Sequence, residues 1–273
     1  MMLGAEAYFD LKEFKHKNIF QGTEYVWEAI GNLQKYIENT ISPNLSWLSQ
    51  VAINDTIVVA NRTEHKATCK ITRGKISKGG LEVTSNGQKI SGASVIDAGA
   101  FIYDENVYIG EGSLIEPGAL IKGPTIIGNN VEIRQGAYIR GNCIIGDNCV
   151  VGHATEIKNS IMLNGAKAAH FAYVGDSILG NNVNLGAGTR LANIYLRNIK
   201  ILIMTKHKKY RTDLNKLGAI IGDGTQTGCN CVCNPGTLVG KSSLIFPGVT
   251  VAAKAYPDGS KIGLNVTNLF EVK

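Results

Sequence analysis

The sequence lacks any apolar run long enough for a secretory signal or a membrane span, and its first 17 residues mix acidic, basic and aromatic side chains. The chain is therefore read as cytoplasmic, with no membrane span. Charge is also scarce: charged residues are 18% of the 273, and the formal net charge is +6. Apart from Lys206 to Arg211 the basic residues are scattered, whereas a nucleic-acid footprint is denser and lies on one face. No nucleic-acid partner is expected, and an anionic small substrate fits this balance equally well. At 44% hydrophobic, the chain can bury a large core in one or two domains.

Cysteines number six, with no CxxC pair of the zinc type, so they are expected to be thiols. The alternation Cys229, Cys231, Cys233 invites a metal reading that the repeat phase must decide. No Gly-rich phosphate loop occurs, and the segment before the repeats is too short for a nucleotide-binding α/β domain, which argues against nucleotidyl transfer.

A six-residue period is present. Aliphatic residues recur in register at Ile109, Ile115, Ile121, Ile127, Ile133, Ile139, Ile145, Val151, Ile157 and Leu163, after a weaker start at Ile96 and Ile102. The period returns at Leu179, Leu185 and Leu191, and again from Ile221 through Thr227, Cys233, Val239 and Ile245 to Val251. Six matches neither a helix nor a long strand, but it fits a short strand and a turn repeated around a triangular coil. Three units make a coil whose rungs bond to the coils above and below at about 4.8 Å. The small residue two positions before each aliphatic also points inward, as at Ser113, Ala119 and Thr125. That phase puts Cys143, Cys149, Cys231 and Cys233 in the core and leaves Cys229 facing outward. No metal is expected.

The fold is thus all-β, a parallel β-helix over residues 91–260. It is preceded by a segment, 1–90, with one amphipathic helix between Thr23 and Ile41, capped by Thr23, and strand-like residues from Val51 to Val83. Residues 261–273 form a C-terminal tail. The period fails over 192–218, where alternating apolar residues around a basic tip predict a hairpin-like loop insertion. Long insertions are often functional, though a solvated basic turn covering a neighbouring subunit is an equal reading. Positions 18 apart stack, so Lys122, Arg140 and Lys158 are expected in one cationic column, where like charges repel unless an anion lies among them. Lys122 is expected to splay into solvent or pair with an acid such as Glu156. Arg140 and Lys158 are expected to hold a phosphate.

One segment carries more than the period. Glu156 to Ser160, Gly165 to Asp176, Gly180 to Thr189 and Asn193 together resemble the acetyltransferase half of bifunctional N-acetylglucosamine-1-phosphate uridyltransferase/glucosamine-1-phosphate acetyltransferase. This resemblance is specific between Arg140 and Asn193 and weaker through the later coils. It implies the left-handed form of the β-helix and a homotrimer with each site between adjacent prisms. It makes His170 the general base, a role suited to a group titrating near neutral pH. It places Arg140 and Lys158 on the sugar phosphate, Tyr173 and Asn184 on the amino sugar, and Ala187 and Asn193 against acetyl-CoA, the co-substrate. A serine expected against the coenzyme is matched by Cys229. The basic residue expected soon after Asn193 is displaced by the insertion, where Lys200 or Lys206 could replace it. The family's basic C-terminal tail and its uridyltransferase half have no counterpart in the sequence.

The reaction so implied is N-acetylation of an amino-sugar phosphate by direct transfer, without a covalent acyl-enzyme or a metal. Two other classes stay open. A non-catalytic hexapeptide scaffold, binding a sugar nucleotide or organising a separate nucleotidyltransferase, is favoured by the altered coenzyme positions. A metal-dependent hydratase on the same fold would need convergent histidines, and no His-x4-His occurs.

Overall fold

The protein is described by a computed structural model covering residues 3–48, 51–65, 68–197 and 199–263. The expected tail lies outside the described residues from 264 onward. Short strands stack into three sheets of 11, 9 and 8 strands, the three faces of a parallel β-helix of about nine turns. The first face begins at Ser94–Ile96, the second at Phe101–Ile102 and the third at Val107–Ile109. Each chain turn passes through the three in that order. No helix among the described residues is long and apolar enough to cross a membrane.

The periodic aliphatics fill the coil's core. Ile121 pairs with Ile139 and Ile139 with Ile157 on the second face, and Ile109, Ile127 and Ile145 stack on the third. Core hydroxyls are satisfied by the backbone: Ser113 Oγ donates to Gly128 O at 2.9 Å and accepts from Val131 N at 2.9 Å. Cys143, Cys149, Cys231 and Cys233 are buried in this core and Cys229 is exposed, as the phase requires. Burial pushes the thiols of Cys143, Cys149 and Cys233 up to about 12.

The tenth aliphatic of the series departs from expectation. Ile145 pairs with Met162, not Leu163, because the corner after Ile157 is one residue short. The same shortening recurs after Val174, so that Met162 stacks on Leu179 and Ala168 on Leu185. Leu163 packs outside the coil instead. Both short corners join the second face to the third, and the insertion leaves from the same edge between Arg190–Leu191 and Ala219–Ile221.

Outside the third face runs a second apolar ladder, Ile126, Ile144, Ile161, Ile178, Ile220 and Leu238, all buried. Each immediately precedes an inward residue, so alternation sends it to the other surface. The N-terminal segment covers this ladder. Its helix, Glu28–Thr40, buries Ala29, Ile30, Leu33 and Ile37, one face at helical spacing. The helix starts later than expected, and Thr23 does not cap it. Thr23 Oγ1 donates to Phe20 O at 2.8 Å, while Glu28 Oε2 accepts the Glu24 and Tyr25 amides at 2.8 and 3.1 Å.

Polar clamps fix the segment to the corner between the third and first faces. Asp10 N donates to Asp223 Oδ2 at 2.6 Å, Asn181 Nδ2 to Asp10 O at 2.8 Å, and Lys241 Nζ to Glu6 O at 3.0 Å. After it the chain turns antiparallel, pairing Ile57 with Ile96 and Val51 with Ile102, and Leu45, Leu48 and Ile53 close the end of the core. A small antiparallel sheet follows at Cys69–Arg73, Leu81–Ser85 and Gln88–Lys89. The insertion contains the expected hairpin, Leu202–Met204 against Lys209–Arg211. Its Ile201, Ile203 and Leu217 join the cover over the third face, and Tyr210 lies edge-on to Tyr25 and Trp27.

Two outcomes test this packing. His16 is buried between Phe14 and Tyr36, and burial lowers its pKa to about 4, with the nearby Lys15 charge adding to the shift. Because the unfolded chain binds that proton more readily, its contribution is complete above about pH 6.5 and is lost as pH falls toward 4, about 3 kcal/mol in all. Thermal melts of His16→Gln should therefore lose less stability across that window than wild type. At about pH 8, iodoacetamide should label Cys229 in the native protein and leave Cys143, Cys149 and Cys233 untouched until denaturant is added, as read by peptide mass mapping.

Candidate functional site

The residues singled out by sequence fall along the two edges of the second face. At the edge shared with the first face, His170 ends the strand Lys167–His170. Its imidazole is exposed and makes no hydrogen bond or ion pair among the described residues. The next two coils place Ala187 and then Cys229 along the same edge, tied through Gly188 N to His170 O at 3.0 Å and Asn230 N to Ala187 O at 2.7 Å. Asn184 stands slightly apart, on the first face in register with Lys167.

His153, which sequence reasoning passed over, pairs in register with His170 one coil earlier. Its ring meets Phe171 edge-on with centroids 5.2 Å apart, and its Nδ1 lies 3.0 Å from Gln135 O. Phe171 itself is exposed and adopts a left-handed backbone, φ 52°.

At the opposite edge lie Arg140, one coil before the first short corner, and Lys158 and Asn193, which meet where the coils are shortened. Lys122 and Arg140 are in register, but the column is not bare charge. Lys122 does not splay into solvent and meets no acid among the described residues; its Nζ lies 4.6 Å from the Tyr103 ring centre and 5.8 Å from that of Tyr138. Arg140 Nη1 donates to Glu156 Oε1 at 2.7 Å, with both side chains partly exposed. Lys158 Nζ donates to Asp176 Oδ2 at 3.0 Å.

Asp176 was not anticipated, and it organises this edge. Its carboxylate is buried and also accepts Asn159 Nδ2 at 2.8 Å and the side-chain amide of Asn193. Its backbone bonds carry the stack onward: Asp176 N donates to Lys158 O at 2.9 Å and Gly218 N to Asp176 O at 2.8 Å. One carboxylate therefore ties together Lys158, Asn193 and the root of the insertion. Asp176 sits one residue after Gly175, at a corner with a left-handed backbone, φ 48°.

Tyr173 completes the cluster from the second face. Burial, then the charges of Asp176 and Glu156, push its phenol pKa up. Gly175 lets these side chains approach: a Cβ there would stand 2.5 Å from the Tyr173 hydroxyl and 2.9 Å from Asn193 Nδ2, so both would have to shift. The structure thus brings together Lys158, Tyr173 and Asn193, with Arg140 one coil before Lys158. It brings together His170, Ala187 and Cys229 separately, one side of the triangle away. Between the two edges, the outward side chains of the second face, including Tyr138, Glu156 and Tyr173, remain only partly covered.

Comparison with known proteins covers this same stretch. The family described as "GMPPB C-terminal domain" matches residues 121–207. The "Bifunctional sugar-1-phosphate nucleotidylyltransferase/acetyltransferase" of Sulfurisphaera tokodaii is 38% identical over 100 residues, 37% of this chain and 25% of that protein. "Bifunctional protein GlmU" of Methanococcus maripaludis (strain S2) is 41% identical over 140 residues, 51% of this chain and 34% of the relative. That of Synechococcus sp. is 36% identical over 171 residues, 59% of this chain and 34% of the relative. The matches thus span about a quarter to a third of these relatives. The coil is similar to the hexapeptide-repeat acetyltransferase region in the C-terminal part of such bifunctional proteins. Among solved structures, Francisella novicida UDP-N-acetylglucosamine acyltransferase is 18% identical over 64% of this chain and 68% of its own, with a TM-score of 0.29.

Asp176→Asn should cost about 1–3 kcal/mol in urea unfolding, because Lys158 then keeps a half-buried charge without its counter-charge. Adding Lys158→Met should return part of that loss, and a double-mutant cycle measures the coupling. Strict additivity would show that the pair contributes nothing.

Proposed function

We propose that this chain is an acyl-CoA-dependent N-acetyltransferase acting on an amino-sugar phosphate of the glucosamine-1-phosphate kind. The observation that carries this reading is the arrangement of the second face. A cation pair, Arg140 and Lys158, lines one edge, and an imidazole without internal partners, His170, lines the other, within the stretch similar to bifunctional nucleotidyltransferase–acetyltransferases.

In this reading the sugar phosphate lies across the face. Arg140 and Lys158 meet the phosphate, displacing part of their contact with Glu156 and Asp176 in favour of a more highly charged partner. Tyr173 contacts the sugar ring from the second face and orients its amine toward His170, while Asn184, on the first face, would reach the sugar of a site shared with an adjacent prism. Neutral His170 takes a proton from the ammonium as the nitrogen attacks the thioester carbonyl. The new C–N bond forms as the carbonyl becomes an oxyanion, which amide N–H groups stabilise. Collapse breaks the C–S bond and expels the coenzyme thiolate, which takes the surplus proton still held by the new amide nitrogen, while His170 returns its own proton to solvent. No acyl-enzyme is formed, and no metal is called for by this chemistry.

Acetyl-CoA enters as a substrate. The small side chain of Ala187 and the exposed Cys229 leave the His170 edge open to it, and Asn193 approaches from the opposite edge. Lys200 is an unsuitable replacement for the displaced basic residue, since its Nζ is held on Asp213 O at 2.8 Å. Lys206 at the exposed hairpin tip is free to serve. The third face is covered by the N-terminal segment and the insertion, so a homotrimer would pack through the first and second faces and place each site between prisms.

The second reading is a non-catalytic scaffold that binds a sugar nucleotide. It is favoured by Glu156 and Asp176, which already neutralise the two cations, and by cysteine at position 229.

Release of free thiol from acetyl-CoA, measured with a panel of amino-sugar phosphates, separates the two. Turnover with at least one phosphorylated amino sugar is expected. His170→Ala should lower kcat by roughly 10²–10⁴-fold with a small effect on KM, the range for loss of a general base. Activity indifferent to His170→Ala removes the proposed base, and no turnover together with no coenzyme binding leaves the scaffold.

A further inference from the structure

Apart from Lys206, offered above to the coenzyme, the insertion holds a charge asymmetry that the proposed reaction does not use. Residues 192–218 contain seven of the chain's 28 Lys and Arg but one of its 22 Asp and Glu. The remainder has 21 of each, so the whole formal charge of +6 resides on this one excursion. All seven cations, Arg197, Lys200, Lys206, Lys208, Lys209, Arg211 and Lys216, are exposed. No ion pair with an acid involves any of them among the described residues.

Exposed aliphatic side chains are interspersed with them along the sequence. Ile194 and Ile199 are each more than half exposed, Leu196 is 108% exposed, and Met204 is exposed at the end of the first hairpin strand. The arm's aromatic rings do the reverse. Tyr195 and Tyr210 pack into the cluster over the third face, Tyr210 against Tyr25 and Trp27. Sequence-tolerant nucleic-acid binding needs outward rings on which bases stack, and this arm turns its rings inward. Cations with interspersed exposed aliphatics instead match an interface that is anionic at its surface and apolar a few ångströms below.

We propose that residues 194–197 and 199–211 carry an amphiphilic arm that docks the protein on an anionic lipid bilayer. The lysines of the hairpin tip meet the headgroup phosphates and carboxylates, and Leu196 and Ile199 enter the acyl boundary. The arm is rooted at Asn193 and, through Leu217 N to Asn193 O at 3.0 Å and Gly218 N to Asp176 O at 2.8 Å, at the Asp176 corner. Docking therefore brings that edge of the coil toward the membrane surface.

Co-sedimentation of the full chain with vesicles tests this. Vesicles of phosphatidylcholine alone are compared with vesicles containing one phosphatidylserine in three. Binding is expected only to the second, and should weaken steeply as salt rises from about 0.1 to 0.5 M. Lys206→Gln/Lys208→Gln/Lys209→Gln should reduce it by roughly a hundredfold, and Leu196→Ser/Ile199→Ser by roughly tenfold or more. Circular dichroism and sedimentation velocity confirm that each variant keeps its fold and assembly; should one fail, the lipid and salt preference of the wild type still decides. Absence of binding to the anionic vesicles overturns the proposal. So does binding that ignores the aliphatic substitutions, which would mark a generic polyanion site, or tighter binding to single-stranded DNA than to vesicles.

Discussion

Everything in this molecule depends on each coil returning to the same in-plane position, so that its strands can bond to the coil beneath. The inter-strand spacing is fixed by the peptide groups, and side chains must fit the triangle so defined. Small residues at one inward position and aliphatics at the next are the consequence. A coil that loses a residue can do so only at a corner, where backbone direction changes, and the next coil must lose it at the same corner to restore register. The corners after Ile157 and Val174 behave in this way. The packing edge they create is where Lys158, Asp176 and Asn193 meet.

Placing charge at such a corner is costly unless it is paired, because the edge is partly withdrawn from water. Asp176 resolves this by accepting from three donors at once, and Glu156 does the same for Arg140 more loosely, nearer to solvent. The two cations therefore differ in readiness: Arg140 can exchange its partner with little desolvation, whereas Lys158 is held. His170 lies under the opposite constraint, with no hydrogen-bond partner among the described residues to fix its ring or tautomer. Its orientation would have to come from a bound substrate or a neighbouring chain.

The strongest feature of the sequence, a six-residue period, was sufficient for the coil, for the burial of Cys143, Cys149, Cys231 and Cys233, and for the hairpin where the period stops. It misplaced Leu163 because Ile161, Met162 and Leu163 are three consecutive apolar residues, and periodicity alone cannot choose among neighbours of equal hydrophobicity. It missed the cover over the third face for a related reason. The doublets at Ile126–Ile127, Ile144–Ile145, Ile178–Leu179, Ile220–Ile221 and Leu238–Val239 recur once per coil, yet the outward partner is visible only when the three units are read as distinct faces. Lys122 was misread because stacking on Tyr103 depends on a ring from the preceding coil. Of the site, the motif from Glu156 to Asn193 made the residues legible, but not the carboxylate that ties them, since hydrogen bonding around a corner leaves no period.

Solenoids are quasi-one-dimensional: each repeat touches only its neighbours, so ends can fray while the middle holds. The ladder from Ile126 to Leu238 departs from that rule. One helix and one hairpin lie across it, and the clamps at Asp10 and Glu6 reach coils whose sequence positions are more than two hundred residues away. Distant coils therefore share one cover, and a late coil cannot open without loosening contacts made by the first residues of the chain. The third face acts as a spine that converts a stack of independent rungs into a single cooperative body.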